Sequence, residues 1–151
     1  IIMNGLEIRL SKEYNSMVSE APEGLSVNLK NDNLRYWEAL IFGPYDSPWE
    51  NGIFKLDLQF PENYPLKPPT VQFITSVFHP NVYTSGKICL DILQSKWSPV
   101  QDIRSTLISI QSLLTDPNID SPANPEAARL YQQNRKEYNK KVRSCAEKSI
   151  V

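Results

Sequence analysis

Histidine occurs once in this chain and cysteine twice, and each scarcity removes a class of function. A structural zinc site needs four Cys or His ligands, and only His79, Cys89 and Cys145 are available. That excludes a zinc module, and no metal site is expected. The disulfide framework of a small secreted domain needs more cysteines at closer spacing, so a reducing setting, cytoplasmic or nuclear, is expected. No window approaches the roughly 18 consecutive apolar residues of a membrane span, so no membrane partner is expected. Neither sign of charge dominates: 16 basic side chains stand against 17 acidic ones, a net charge of −1. Such a balance gives no general attraction for nucleic acid, and no direct nucleic-acid contact is expected.

What is present describes an ordinary globular chain, 40% hydrophobic and 22% charged. Residues 1–151 read as one domain, long enough to bury about two thirds of the unfolded chain's surface. The spacing of Leu6, Leu10, Tyr14, Met17 and Val18 predicts a first helix, with Glu7, Arg9, Lys12 and Glu13 elsewhere around it. Pro22 and Gly24 end it. Alternation then predicts strands: "LSVNL" at 25–29, Trp37/Ala39/Ile41, Phe54/Leu56/Leu58/Phe60 and "TVQFI" at 70–74. The turn-rich "GPYDSPWENG" between the second and third favours an antiparallel meander.

Between Thr75 and Gln101 no period survives, yet Val77, Phe78, Val82, Ile88, Leu90, Leu93 and Trp97 are too apolar to stay solvated. An ordered, packed, irregular loop is expected there, which marks a candidate site. Helices return after Asp102, a reasonable N-cap, with Ile103, Leu107, Ile110 and Leu114 on one face. Asn124 then caps a helix with Pro125 at its first position, and Tyr138, Val142 and Cys145 stripe the last segment. The order is α+β: an N-terminal helix, a four-stranded antiparallel meander, a long ordered loop, then C-terminal helices.

The two cysteines differ in setting. Cys145, at helical spacing from Tyr138 and Val142, reads as a small core hydrophobe. Cys89 follows Gly86 and Lys87 in the irregular loop, where a side chain can be presented to another protein and a nearby lysine favours thiolate. A cysteine hydrolase would need His79 as its general base. His79 is followed by Pro80 in an apolar loop, a setting that suits a structural hydrogen bonder better than a base. Carrying an acyl group as a thioester needs no base to activate water. It needs a thiol and a donor for the tetrahedral oxyanion, and Asn81 offers an amide in the same loop.

"HPNVYTSGKICLDIL" followed by "WSP" resembles the active-site segment of ubiquitin-conjugating enzymes, the E2 class. The likeness extends to "YWEALIFGPYDSPWENGIFKLDLQFPENYPLKPPTVQF" before it and "SIQSLLTDPNIDSPANPEAARLY" after it. It implies a single catalytic domain of that family's fold, with Cys89 accepting ubiquitin from an activating enzyme (E1) and passing it to substrate lysines, usually with a ligase (E3). Asn81 would be the oxyanion donor or a brace for the loop. Asp91 and Ser121 match positions flanking the incoming lysine, although many relatives carry Asp where this chain has Ser121. His79 and Pro80 would complete the structural motif, and Tyr64-Pro65 matches a bond that is often cis in the family.

The resemblance also implies partner surfaces. Ser105, Ile108 and Ser112 would face the tethered ubiquitin. Leu66, Pro99 and Val100, flanked by Arg9 and Lys12, resemble the edge that docks E1 and E3, with departures at Leu66 and Val100 where RING- and HECT-dependent relatives often carry Phe and Ala. No cofactor is implied, since Mg²⁺ and ATP belong to the activating enzyme. The basic terminal helix reads as a solvated face or a docking patch. The "WSP…SIQSLL" and "SPANPEAARLYQQN" stretches are similar to the branch that modifies histones and serves DNA-damage tolerance. Two alternatives stand: a conjugating enzyme for a ubiquitin-like modifier, and a non-catalytic scaffold of the same fold. Inactive family variants lack the cysteine, which weighs against the second.

Overall fold

The computed structural model describes residues 3–151. Helix α1 (Gly5–Ser19) starts at Asn4, whose side chain accepts from the Glu7 N–H at 2.8 Å and so satisfies one of the helix's free amides. Four strands follow, β1 (Leu25–Lys30), β2 (Asn33–Phe42), β3 (Ile53–Gln59) and β4 (Thr70–Phe73), antiparallel and adjacent in chain order. The period-2 pattern fixes which residues face inward, and even-numbered registers keep those faces matched. Trp37 lies opposite Leu58, Ala39 opposite Leu56 and Ile41 opposite Phe54, while Val71 and Phe73 continue the same inner face beside Leu58 and Leu56. The meander is therefore as expected, except that β4 stops at Phe73. Ile74 is exposed, and its N–H, like that of Thr75, turns to the Lys55 carbonyl.

Helices α2 (Ile103–Thr115), α3 (Pro125–Gln133) and α4 (Arg135–Ser149) complete the α+β architecture. Leu10 and Met17 of α1, the inner sheet face, Ile103, Leu107, Ile110 and Leu114 of α2, and Tyr138, Val142 and Ala146 of α4 form one buried cluster. Trp49 joins it from the β2–β3 turn. Its indole is 1% exposed and donates to the Leu114 carbonyl at 2.9 Å, so this turn is bolted to the end of α2.

Two assignments on α1 change. Val18 is exposed and not part of the buried stripe. Glu13, expected elsewhere around the helix than the apolar stripe, lies three residues from Leu10 and four from Met17, on the buried seam. Its side chain is only 12% exposed. A carboxylate survives there because three donors meet it. Oε1 accepts from the Ile103 N–H at 2.8 Å, and Oε2 from Arg9 Nε at 2.9 Å and the Tyr64 hydroxyl at 2.8 Å.

Candidate active site

The irregular segment after β4 is ordered by backbone pairing and by one glycine. Gly86 sits at φ +94°, and a Cβ there would collide with the Phe73 carbonyl oxygen. With that close approach, the Gly86 carbonyl accepts from the Phe73 N–H at 2.9 Å, and Lys87 bridges to Gln72. The chain thus leaves the sheet edge extended, and Ile88 turns into the core while Lys87 is exposed and Cys89 is half-buried. The Cys89 N–H donates to the Asn81 carbonyl at 2.8 Å, and a 3₁₀ turn over Asp91–Leu93 follows. Asp91 closes that turn: its carbonyl accepts from Gln94 and Lys96, and its exposed carboxylate lies 3.6 Å from the Lys96 ammonium.

Beneath Cys89, His79-Pro80-Asn81 works as a clasp. His79 is 0% exposed. Its Nε2 lies 2.6 Å from the Leu113 carbonyl at the end of α2, and its Nδ1 accepts from the Asn81 N–H at 2.9 Å. Only the neutral Nε2–H tautomer satisfies both contacts, because a carbonyl cannot donate and an amide N–H cannot accept. Burial lowers the imidazole pKa to about 4, against the opposing pull of the Leu113 carbonyl. Both ring nitrogens are spent on backbone, so no lone pair remains to take a proton from a thiol, and a hydrolase with His79 as base lacks its base.

Pro80 contributes through its carbonyl, which accepts from the N–H groups of Ala123 at 2.8 Å and Asn124 at 3.0 Å. Asn81, 2% exposed, pairs with the backbone of Asn118 in both directions: its Nδ2 donates to the Asn118 carbonyl at 2.6 Å, and its Oδ1 accepts from the Asn118 N–H at 2.8 Å. This is a bracing arrangement, and it engages one of the two Nδ2 hydrogens. The Asn118 side chain accepts in turn from the Asp120 N–H at 3.0 Å. Pro80 and Asn81 therefore pin the α2–α3 connection, which carries exposed Ser121, to the Cys89 segment, and His79 ties that segment to the end of α2 itself. Asn118 is the member the sequence did not announce. An asparagine flanked by Pro117 in a loop reads only as a turn residue.

The two surfaces implied by the family likeness are less uniform than their sequences suggest. On α2, Ile108 and Ser112 are exposed. Ser105 is not free: it forms the capping box with Asp102, whose side chain accepts from the Ser105 N–H at 2.8 Å while Ser105 Oγ accepts from the Asp102 N–H at 3.1 Å. At the other edge, Leu66 is 69% and Val100 89% exposed, with Pro99 also exposed. The Tyr64-Pro65 bond is cis. The Trp97 indole donates to the Pro65 carbonyl at 2.9 Å, tying the two loops of this edge together. Lys12 is exposed, whereas Arg9 is half-buried, bonded to Glu13 and, at 3.2 Å, to the Gln101 carbonyl. Burial is the largest single influence and opposes its charge, but the hydrogen bond and charge of Glu13, together with Tyr64, outweigh it and raise the guanidinium pKa further.

Cys145 occupies a different kind of place. It is half-buried, not sealed in the core, and lines a hollow of about 430 Å³ with Phe78, Tyr83, Lys141, Ser144 and Lys148. The core stripe of α4 runs through Tyr138, Val142 and Ala146, so the third member expected at Cys145 falls one residue later.

The family model described as ubiquitin-conjugating enzyme matches residues 9–146. The chain is 53% identical over 143 residues to ubiquitin-conjugating enzyme E2 3 of Arabidopsis thaliana, covering 95% of each chain. It is 55% identical over 141 residues to ubiquitin-conjugating enzyme E2 2 of Debaryomyces hansenii, covering 93% of this chain and 84% of that one. It is 54% identical over 141 residues to ubiquitin-conjugating enzyme E2 1 of Caenorhabditis elegans, covering 93% and 73%. With the helix, meander and C-terminal helices in place, the chain belongs to the ubiquitin-conjugating enzymes, the E2 class of transferases.

Proposed function

We propose that Cys89 is the residue that carries ubiquitin. The observation that carries this reading is the half-exposed Cys89 thiol on a loop whose backbone is tied to the buried Asn81. Family membership implies ubiquitin, an activating enzyme and ligases as partners in general. In the first step the Cys89 thiolate attacks the carbonyl carbon of the activating enzyme's ubiquitin thioester. A tetrahedral oxyanion forms, the activating enzyme's thiolate leaves, and ubiquitin is now esterified to Cys89 Sγ. In the second, a substrate lysine amine attacks the same carbonyl. The C–N bond forms, the C–S bond breaks, Cys89 departs as thiolate and the nitrogen releases its proton to water.

Asn81 braces the loop and supplies its remaining N–H to the oxyanion, while Asp91 and Ser121 flank the incoming lysine. Ser121 brings a hydroxyl but no charge, so activation of the amine at that position rests on Asp91. Ser105, Ile108 and Ser112 define the helix face that holds the tethered ubiquitin, Ser105 chiefly by fixing the start of α2. Leu66, Pro99 and Val100, with Arg9 and Lys12 beside them, form the docking edge for E1 and E3. The cytoplasm or nucleus is the proposed location.

The test is a charging assay with ubiquitin, activating enzyme and Mg-ATP, resolved with and without reductant. A shifted band lost on reduction and absent in Cys89→Ala is expected. No band with ubiquitin, but one with a ubiquitin-like protein and its own activating enzyme, would reassign the modifier. No band with either would leave Cys89 without this role.

A further inference from the structure

The Glu13 carboxylate joins three parts of the chain that no backbone pairing connects. It receives α1 through Arg9, the β3–β4 connection through the Tyr64 hydroxyl, and the first amide of α2 through the Ile103 N–H. Arg9 extends the network: its second arm reaches the Gln101 carbonyl, and its guanidinium carbon lies 5.3 Å from the Tyr64 ring centroid. Tyr64 precedes Pro65 and Leu66, and Gln101 follows Pro99 and Val100. The indole bond from Trp97 to the Pro65 carbonyl closes the circuit. The exposed apolar residues of this edge thus stand on two loops whose separation is set from below.

We propose that Glu13 is a positioning residue for protein docking: its carboxylate sets the spacing of the Leu66 and Pro99/Val100 loops, and through that spacing the affinity for the activating enzyme. This rests on the reading of Leu66, Pro99 and Val100 as the docking edge. Glu13 itself does not touch the partner. Its position between Leu10 and Met17 on the buried seam, and its 12% side-chain exposure, keep it beneath the surface that docks.

Glutamine is the informative replacement because it has the same shape and cannot fill the role. With its oxygen toward Ile103 N–H, its NH₂ faces Arg9 Nε–H, donor against donor. Flipped, the NH₂ faces Ile103 N–H instead. No orientation satisfies all three donors, so the loops must shift to relieve one of them. Tyr64→Phe removes a single donor and leaves the other two contacts intact.

The experiment measures the initial rate of Cys89 charging against activating-enzyme concentration, using ubiquitin and Mg-ATP, at a temperature well below each variant's melting midpoint. Leu66→Ala serves as the control for the edge itself. Glu13→Gln is expected to raise KM for the activating enzyme about fivefold to tenfold with kcat within about twofold, and Tyr64→Phe about twofold to threefold. The double variant is expected to be no worse than Glu13→Gln alone, because both changes act through one carboxylate. A KM for Glu13→Gln within twofold of the parent, while Leu66→Ala raises it, overturns the proposal and spares the edge. A KM unmoved by Leu66→Ala and by Val100→Ala overturns both. If Glu13→Gln does not fold, Tyr64→Phe decides: an unchanged KM overturns the role, and a raised KM with unchanged kcat supports it.

Discussion

Cys89 and Cys145 are the same side chain with similar partial burial, and their surroundings differ in every other respect. Cys89 lies on irregular backbone held by a buried clasp, with its own N–H bonded to Asn81, whose side chain in turn holds Asn118. Cys145 lies inside the regular helix α4, against Phe78 and between Lys141 and Lys148. A helix offers its cysteine only the neighbours that the 3.6-residue period supplies. A clasped loop can bring together groups that are distant in sequence. The largest expected effect tests that contrast directly. Cys89→Ala is expected to reduce charging to background in the gel assay, whereas Cys145→Ala charges at a rate within about twofold of the parent. Equal losses in the two would erase the distinction.

The next effect divides the clasp from the thiol. Asn81→Ala removes both the brace on Asn118 and the remaining oxyanion donor. If the donor dominates, single-turnover discharge to free lysine falls by about 10²-fold while charging changes only a few-fold. Similar slowing of both steps would assign Asn81 to bracing alone, because a displaced loop handicaps every reaction of Cys89. Asn81→Asp is the complementary variant: it keeps an acceptor for the Asn118 N–H, loses the donor to the Asn118 carbonyl and offers none to an oxyanion, so charging closer to the parent than in Asn81→Ala, with discharge as slow, separates the two roles.

The clasp also titrates. Burial lowers the His79 pKa from 6.5 in the unfolded chain to about 4 in the fold, so between those values the unfolded state binds more protons. The contribution of neutral His79 is complete above pH 6.5 and is lost as pH falls toward 4, about 3 kcal/mol in all. Denaturant midpoints measured across pH 7 to 4 are expected to fall more steeply for the parent than for His79→Gln, which cannot bind that proton. Parallel slopes would mean that the imidazole does not feel its burial.

Much of this was legible in the sequence, and the reason is periodicity. Trp37, Ala39 and Ile41 share one strand face and Phe54, Leu56 and Leu58 another by a period-2 pattern, and Ile103 to Leu114 is an amphipathic helix with a visible cap. The irregular packed segment that carries the candidate site was legible from the failure of any period between Thr75 and Gln101. What stayed hidden were contacts that depend on backbone atoms far away in sequence. Asn118 is reached by Asn81 across 37 residues, and Leu113 by His79 across 34, both through carbonyl or amide groups that every residue possesses. The burial of Glu13 was not legible, because an acid on a helix is normally solvent-facing. Only its spacing from Leu10 and Met17 hinted otherwise. Ser105 carries a further role that its helical spacing does not show, since its hydroxyl closes the cap of its own helix.

The smallest effect concerns Cys145 alone and sharpens the comparison from the other side. Burial pushes its thiol pKa above the ordinary value, against the opposing pull of the Phe78 backbone and of Lys148 and Lys141. Alkylation proceeds through the thiolate, so at pH 7.5 the Cys145 thiol is expected to react with iodoacetamide more slowly than a free cysteine does. Its rate should continue to rise with pH above the point where free cysteine levels off. The measurement is peptide mass spectrometry of timed alkylation in the Cys89→Ala variant, which leaves one thiol to follow. A rate at or above that of free cysteine would mean that the hollow beside α4 admits water and reagent freely. The lysines would then outweigh burial, and the two cysteines would differ in their neighbours but not in their reactivity.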